Sequence, residues 1–164
     1  MSLLQIAEWL ETTPPGLMVR ESLYGFPILV AIHLIGLTVS VGVVIWLDLR
    51  LLGLSMQGQP VSAVYRRLMP IAFVGFAVMF ISGGLLLAGF ATAAYENWYF
   101  RMKLAAMLLA GVNVLLYHRF TERSIVHWDE SRRPPLPARA AGLISIAAWM
   151  LVVLAGRMMS YTMF

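Results

Sequence analysis

Apolar residues gather along this chain into four long runs, each closed by short stretches rich in arginine, proline or acidic residues. The runs span about 22–47, 69–94, 98–117 and 138–161. A helix needs about 20 predominantly apolar residues to cross a bilayer, and each run is long enough. The third carries Arg101 and Lys103 near its start, where long basic side chains can snorkel to the interface. Ahead of the first run, Leu3, Ile6, Ala7 and Leu10 recur at helical spacing opposite Gln5, Glu8 and Glu11. Ser2 and Gln5 have the form of a capping box, so the pattern predicts a short amphipathic helix over about 2–11, lying in the interface. The following "TTPPG" breaks it, and Pro27 kinks or starts the core of the first span. The fold class expected is all-α: a polytopic bundle of four transmembrane helices with an interfacial helix before it, forming one membrane domain over 1–164.

Composition supports this class. Of the 164 residues, 60% are hydrophobic and 12% charged, against roughly a quarter charged in soluble domains. Mean hydropathy is +0.80. Cysteine is absent, which excludes disulfides, thiolate metal ligands and covalent attachment of a c-type haem. The opening residues carry Glu8 and Glu11 and no basic stretch, unlike a signal peptide. The net charge of +4 is spread through loops, so it reads as a topology signal rather than a nucleic-acid surface.

Arg50, Arg66, Arg67, Arg119, Arg123, Arg132, Arg133 and Arg139 fall at one end of the spans; Arg20, Arg101, Lys103 and Arg157 fall at the other. Positive residues favour the cytoplasm, which predicts a cytoplasmic position for the 48–68 and 118–137 connections and a periplasmic one for both termini. The longer connection, "TERSIVHWDESRRPPLP", is expected to be stiffened by its prolines.

Ionisable groups within spans are expensive and mark function by default. His33 stands near the middle of the first span, with Gly36 and Ser40 on its helical face. Such small residues either admit a bulky group or simply pack a neighbouring helix. Arg157, one turn before Tyr161, and Lys103 reach the same half of the bilayer as His33. A ligating imidazole beneath cations suits a haem with two propionates, which guanidinium groups can bind bidentately. The competing account of Arg157, Trp98, Tyr99 and Tyr161 is interfacial anchoring.

His118 ends the third span near Asp48, Arg50 and Arg66, where an interfacial ion pair between helix ends is the favoured expectation. His33 and His118 are both metal-ligand candidates, but an offset of roughly 15 Å along the bilayer normal argues against one haem clamped by both. A single-histidine site, or one completed by another subunit, fits better. Asn113 is expected to hydrogen-bond between helices, and His127 to be solvated. Met18, Met102, Met158, Met159 and Met163 collect toward the His33 end, where thioethers could hold copper(I), although methionine is an ordinary filler of apolar helices. Phosphate-binding glycine loops, His-Glu-x-x-His and Gly-x-Ser-x-Gly are absent.

The stretch "HLIGLTVSVGVVIWLDLRLLGL" (33–54), with "RRLMPIAFVGFAVMFISGGLLL", "RMKLAAMLLAGVNVLLYH" and "AAWMLVVLAGRMMSY", resembles a family of small uncharacterised bacterial inner-membrane proteins over about 27–161. The resemblance implies the four-span architecture and a multi-pass place in the inner membrane, and carries no activity. His33 followed by small residues is also weakly similar to the membrane domains of copper-resistance proteins and b-type cytochromes.

The leading expectation is a haem b electron-transfer protein or a subunit of a membrane redox complex. Its cofactor-binding residues are His33, Gly36, Ser40, Lys103, Arg157 and Tyr161, its metal ligands His33 and His118, and copper is the minor alternative. Two other classes stand beside it: a non-catalytic subunit that binds a membrane partner, and a proton or ion pathway built by a homo-oligomer around His33. The bilayer is the expected surrounding in each case.

Overall fold

The computed structural model describes residues 2–163, which form helices α1 (Leu3–Glu11), α2 (Pro14–Glu21), α3 (Gly25–Leu51), α4 (Val61–Gly89), α5 (Ala91–Glu96), α6 (Trp98–Leu116) and α7 (Leu136–Thr162). A π-helical turn, Tyr117–Thr121, continues α6, and a 3-10 helix follows at Glu122–His127. Among the described residues, four helices are long and apolar enough to cross a membrane: α3, α4, α6 with its π extension, and α7. At about 1.5 Å per residue, the 27 residues of α3 reach roughly 40 Å, more than the hydrocarbon thickness. We call the end carrying the 52–60 and 117–135 connections the loop end, and the opposite one the terminal end.

The capping box is present: Gln5 N donates to Ser2 Oγ at 3.3 Å and Ser2 N to Gln5 Oε1 at 2.8 Å. "TTPPG" ends α1 and also begins another helix. Pro14 and Pro15 occupy the first turn of α2, where a missing amide proton costs nothing. Glu11 then ties this hairpin down, accepting from Thr92 N at 2.8 Å and pairing with Arg20 at 2.9 Å. Pro27 sits in the first turn of α3 for the same reason.

The second span differs most from its sequence-based bounds. α4 starts at Val61, eight residues before the apolar run, and ends at Gly89. Asp129, from the distant connection, supplies its start: the carboxylate accepts from Ser62 N at 2.7 Å and from Ser62 Oγ, and the carbonyl accepts from Val61 N at 3.0 Å. A helix capped in this way extends beyond its apolar length, carrying Arg66 and Arg67 with it.

α3 packs closely on α4, and also on α7; α7 in turn packs on α6. The α3–α4 crossing is made by small residues. A Cβ on Gly36 would lie 2.7 Å from Met79 N, and one on Gly75 would lie 2.6 Å from Ser40 N. Such backbone proximity is how membrane helices associate when lipid removes the hydrophobic drive between them. Gly36 and the fully buried Ser40 are therefore consumed by this crossing, Ser40 Oγ donating to Gly36 O at 2.8 Å. That corrects the expectation that they admit a bulky cofactor.

Arg50, fully buried, holds the loop end together. Its Nε and Nη2 donate to Gln59 O at 3.0 and 2.8 Å, and Nη2 also reaches Ser131 O at 3.1 Å.

A membrane cleft holding His33 and Lys103

The helices lie in the order α4, α3, α7, α6, leaving a cleft between α4 and α6. Its terminal half consists of two adjoining hollows of about 170 and 250 Å³, both lined by His33, Gly83, Leu87, Phe100 and Lys103. Phe80, Leu104 and Met107 extend the wall, so the surface is chiefly apolar.

The close α3–α4 crossing sets His33. Its Nδ1 lies 2.9 Å from Met79 O and 3.2 Å from Ser82 Oγ. A carbonyl oxygen can only accept, which assigns the proton to Nδ1. Neutral imidazole then presents Nε2 as an acceptor or ligand. Among the described residues Nε2 has no hydrogen-bond partner. Gly83 makes room for the ring, since a Cβ there would lie 2.9 Å from His33 Cε1. Lys103 reaches in from α6 within electrostatic range of His33, its Nζ beside Gly156 of α7. Among the described residues the ion pair is Arg20–Glu11, so Lys103 brings a cation without a counter-ion to the cleft.

The other expected members lie elsewhere. Arg157 Nη2 donates to Tyr161 Oη at 2.8 Å, its guanidinium 4.7 Å from that ring's centroid, on an exposed face of α7. The two are an i,i+4 pair of the surface, which corrects their placement above His33. Arg101 is likewise spent, donating to Tyr95 O at 3.1 Å. Of the methionines, Met159 and Met163 join His33 in lining the cleft, whereas Met158 is exposed and Met18 belongs to a separate hollow beside Pro14 and Leu29.

His118 lies at the loop end of the cleft, its Nε2 3.3 Å from Tyr65 Oη. It lines a different hollow, so His33 and His118 do not share a site. Among the described residues no group of three or more His, Cys, Asp or Glu could hold a metal ion. Asp48 lines this loop-end hollow too, hydrogen-bonded to Ser145 of α7 rather than paired with His118 or Arg66. Asn113 Nδ2 donates to Ala141 O at 2.9 Å, bridging α6 and α7. Sequence reasoning missed Met79 and Ser82, whose roles depend on a helix contact 46 and 49 residues away in the chain.

Fold and cleft together define a multi-pass membrane protein with a lateral, largely apolar recess holding one imidazole and one ammonium. The family of unknown function designated DUF6644 matches residues 6–162, and the chain belongs to that family. No curated protein and no solved structure matches it.

Proposed function

We propose that the protein binds haem b in the α4–α6 cleft and serves electron transfer in the inner membrane, alone or within a redox complex. One observation carries the reading: His33 is held by its Nδ1 proton on Met79 O, its Nε2 is left without a hydrogen-bond partner among the described residues, and its ring lines an apolar recess that Lys103 also lines. Metal-ligating histidines commonly donate their second ring proton to a carbonyl, which fixes the tautomer and raises ligand basicity. A haem would supply one-electron chemistry when bound. His33 would be its axial ligand, Lys103 would neutralise a propionate, and Phe100, Leu104 and Met107 would exclude water, a surrounding that helps set the potential.

The test is the optical spectrum of protein purified from haem-replete cells. A Soret band is expected, lost in His33→Ala and retained in His118→Ala. A colourless preparation, or a coloured one indifferent to His33, would overturn the reading, and metal analysis of the same sample would reveal copper instead. The loop end is proposed to face the cytoplasm and the termini the periplasm, on the arginine bias.

A further inference from the structure

Asp48 lies in the last turn of α3, 5% exposed, at the opposite end of the cleft from His33. Ser145 hydrogen-bonds its carboxyl group. Among the described residues, Oδ2 is buried without any hydrogen-bond partner. It borders a hollow of about 80 Å³ whose walls include Val44, Leu47, Tyr65, Met69, Asn113 and His118. That volume holds several waters, and the walls are chiefly apolar.

A carboxylate in such surroundings demands compensation. Arg50, two residues along, lines the same hollow: its Nε and Nη2 donate to the carbonyls of Gln59 and Ser131, while its Nη1 is buried without a hydrogen-bond partner; no cation lies within ion-pair distance of Asp48 among the described residues. A divalent metal would need more anionic or imidazole ligands than are gathered here. The remaining groups facing the hollow are Tyr65 from α4, His118 and Tyr117 from the π turn, Asn113 from α6 and Ser145 from α7; Asp129 lies behind Arg50. Tyr65 and His118 touch each other and link the hollow toward the loop end.

We propose that Asp48 and this hollow form a proton-binding site, filled from the loop end. Hydronium there yields its proton through the enclosed waters, an O–H bond forms at Asp48 Oδ2, and a water molecule is released; discharge runs the same exchange in reverse. Ser145 holds the other carboxyl oxygen throughout. This site is independent of whether His33 binds haem, and it lies on the same helix 15 residues away, roughly 22 Å along the axis.

The experiment is infrared difference spectroscopy of the full chain in lipid nanodiscs through a pH titration in potassium buffer. A protonated-carboxyl C=O band, shifted by deuterium oxide, is expected to grow as pH falls. It should vanish in Asp48→Asn and persist in Asp129→Asn. Ser145→Ala should keep the band and move its titration midpoint. A band that survives Asp48→Asn would overturn the proposal. So would its absence from folded wild-type protein at every pH, which would leave Asp48 ionised and held by Arg50 across water. Suppression of the band by added sodium at fixed pH would also overturn it, assigning the hollow to a metal cation.

Discussion

Gly83 and Gly84 adjoin on α4 and differ in what a methyl group would meet. At Gly83 it would press on the His33 ring, 2.9 Å from Cε1; at Gly84 nothing stands within 4 Å. Gly83→Ala should therefore rotate the imidazole or spread α3 from α4, costing about 1–3 kcal/mol as overpacking does. Gly84→Ala should fall within about 0.5 kcal/mol of wild type. Thermal unfolding in one detergent compares the pair, and the optical spectrum of each reports on His33. At this scale the sequence was legible where chemistry is local. A lone histidine in an apolar run stands out, and so does Lys103. Arg157 and Tyr161 also had a local signal, their i,i+4 spacing, which points to a pair on one helix rather than to a shared site with His33. Gly36 and Ser40 could not be resolved, because small residues facing a helix and small residues facing a cofactor look the same until the neighbour is known.

Helix ends were less legible than helix bodies, and α4 shows why. Its start is Pro60 followed by Val61, and no side chain within the local sequence caps it. The cap comes from Asp129, 67 residues downstream of Ser62, through bonds of a kind that stabilise an N-terminus by about 1–2 kcal/mol. Asp129→Ala should lose about that much, with Asp129→Asn intermediate, in equilibrium unfolding by detergent or heat. The same connection hangs on Arg50. Replacing its planar fork by lysine removes simultaneous donation to Gln59 O and Ser131 O, and losing a hydrogen bond from a charged donor costs about 1.5–3 kcal/mol. Arg50→Lys should accordingly open the 117–135 connection to limited proteolysis while α3 and α4 retain their helical signal. Hydropathy found the four spans because desolvation acts along the chain. It could not find α2, whose first turn is Pro14 and Pro15 and whose hold on the bundle comes through α4 and α3.

At the scale of the whole molecule, the order α4, α3, α7, α6 follows from which helices carry small residues toward one another, and hydropathy does not record that order. It places α3 between α4 and α7, with His33 toward one end and Asp48 toward the other, and gives α6 one main neighbour, α7. Orientation in the bilayer rests on charge, and the structure sharpens the count. Arg50 is locked onto carbonyls and Lys103 lies in the cleft, so neither is a loop charge. Arg66, Arg67, Arg119, Arg123, Arg132, Arg133 and Arg139 remain at the loop end, against Arg20, Arg101 and Arg157 at the terminal end. Arg101 and Arg157 are moreover bound to Tyr95 and Tyr161. The bias is therefore stronger than the raw count, and it predicts a loop end held in the cytoplasm. The chain contains no cysteine, so a single introduced thiol is the sole label site. A thiol at Ser131 should react with a membrane-impermeant maleimide only after the cells are opened, and one at Glu96 should react in intact spheroplasts. The opposite pattern would invert the bundle, and Asp48 rather than His33 would then lie nearer the outer face.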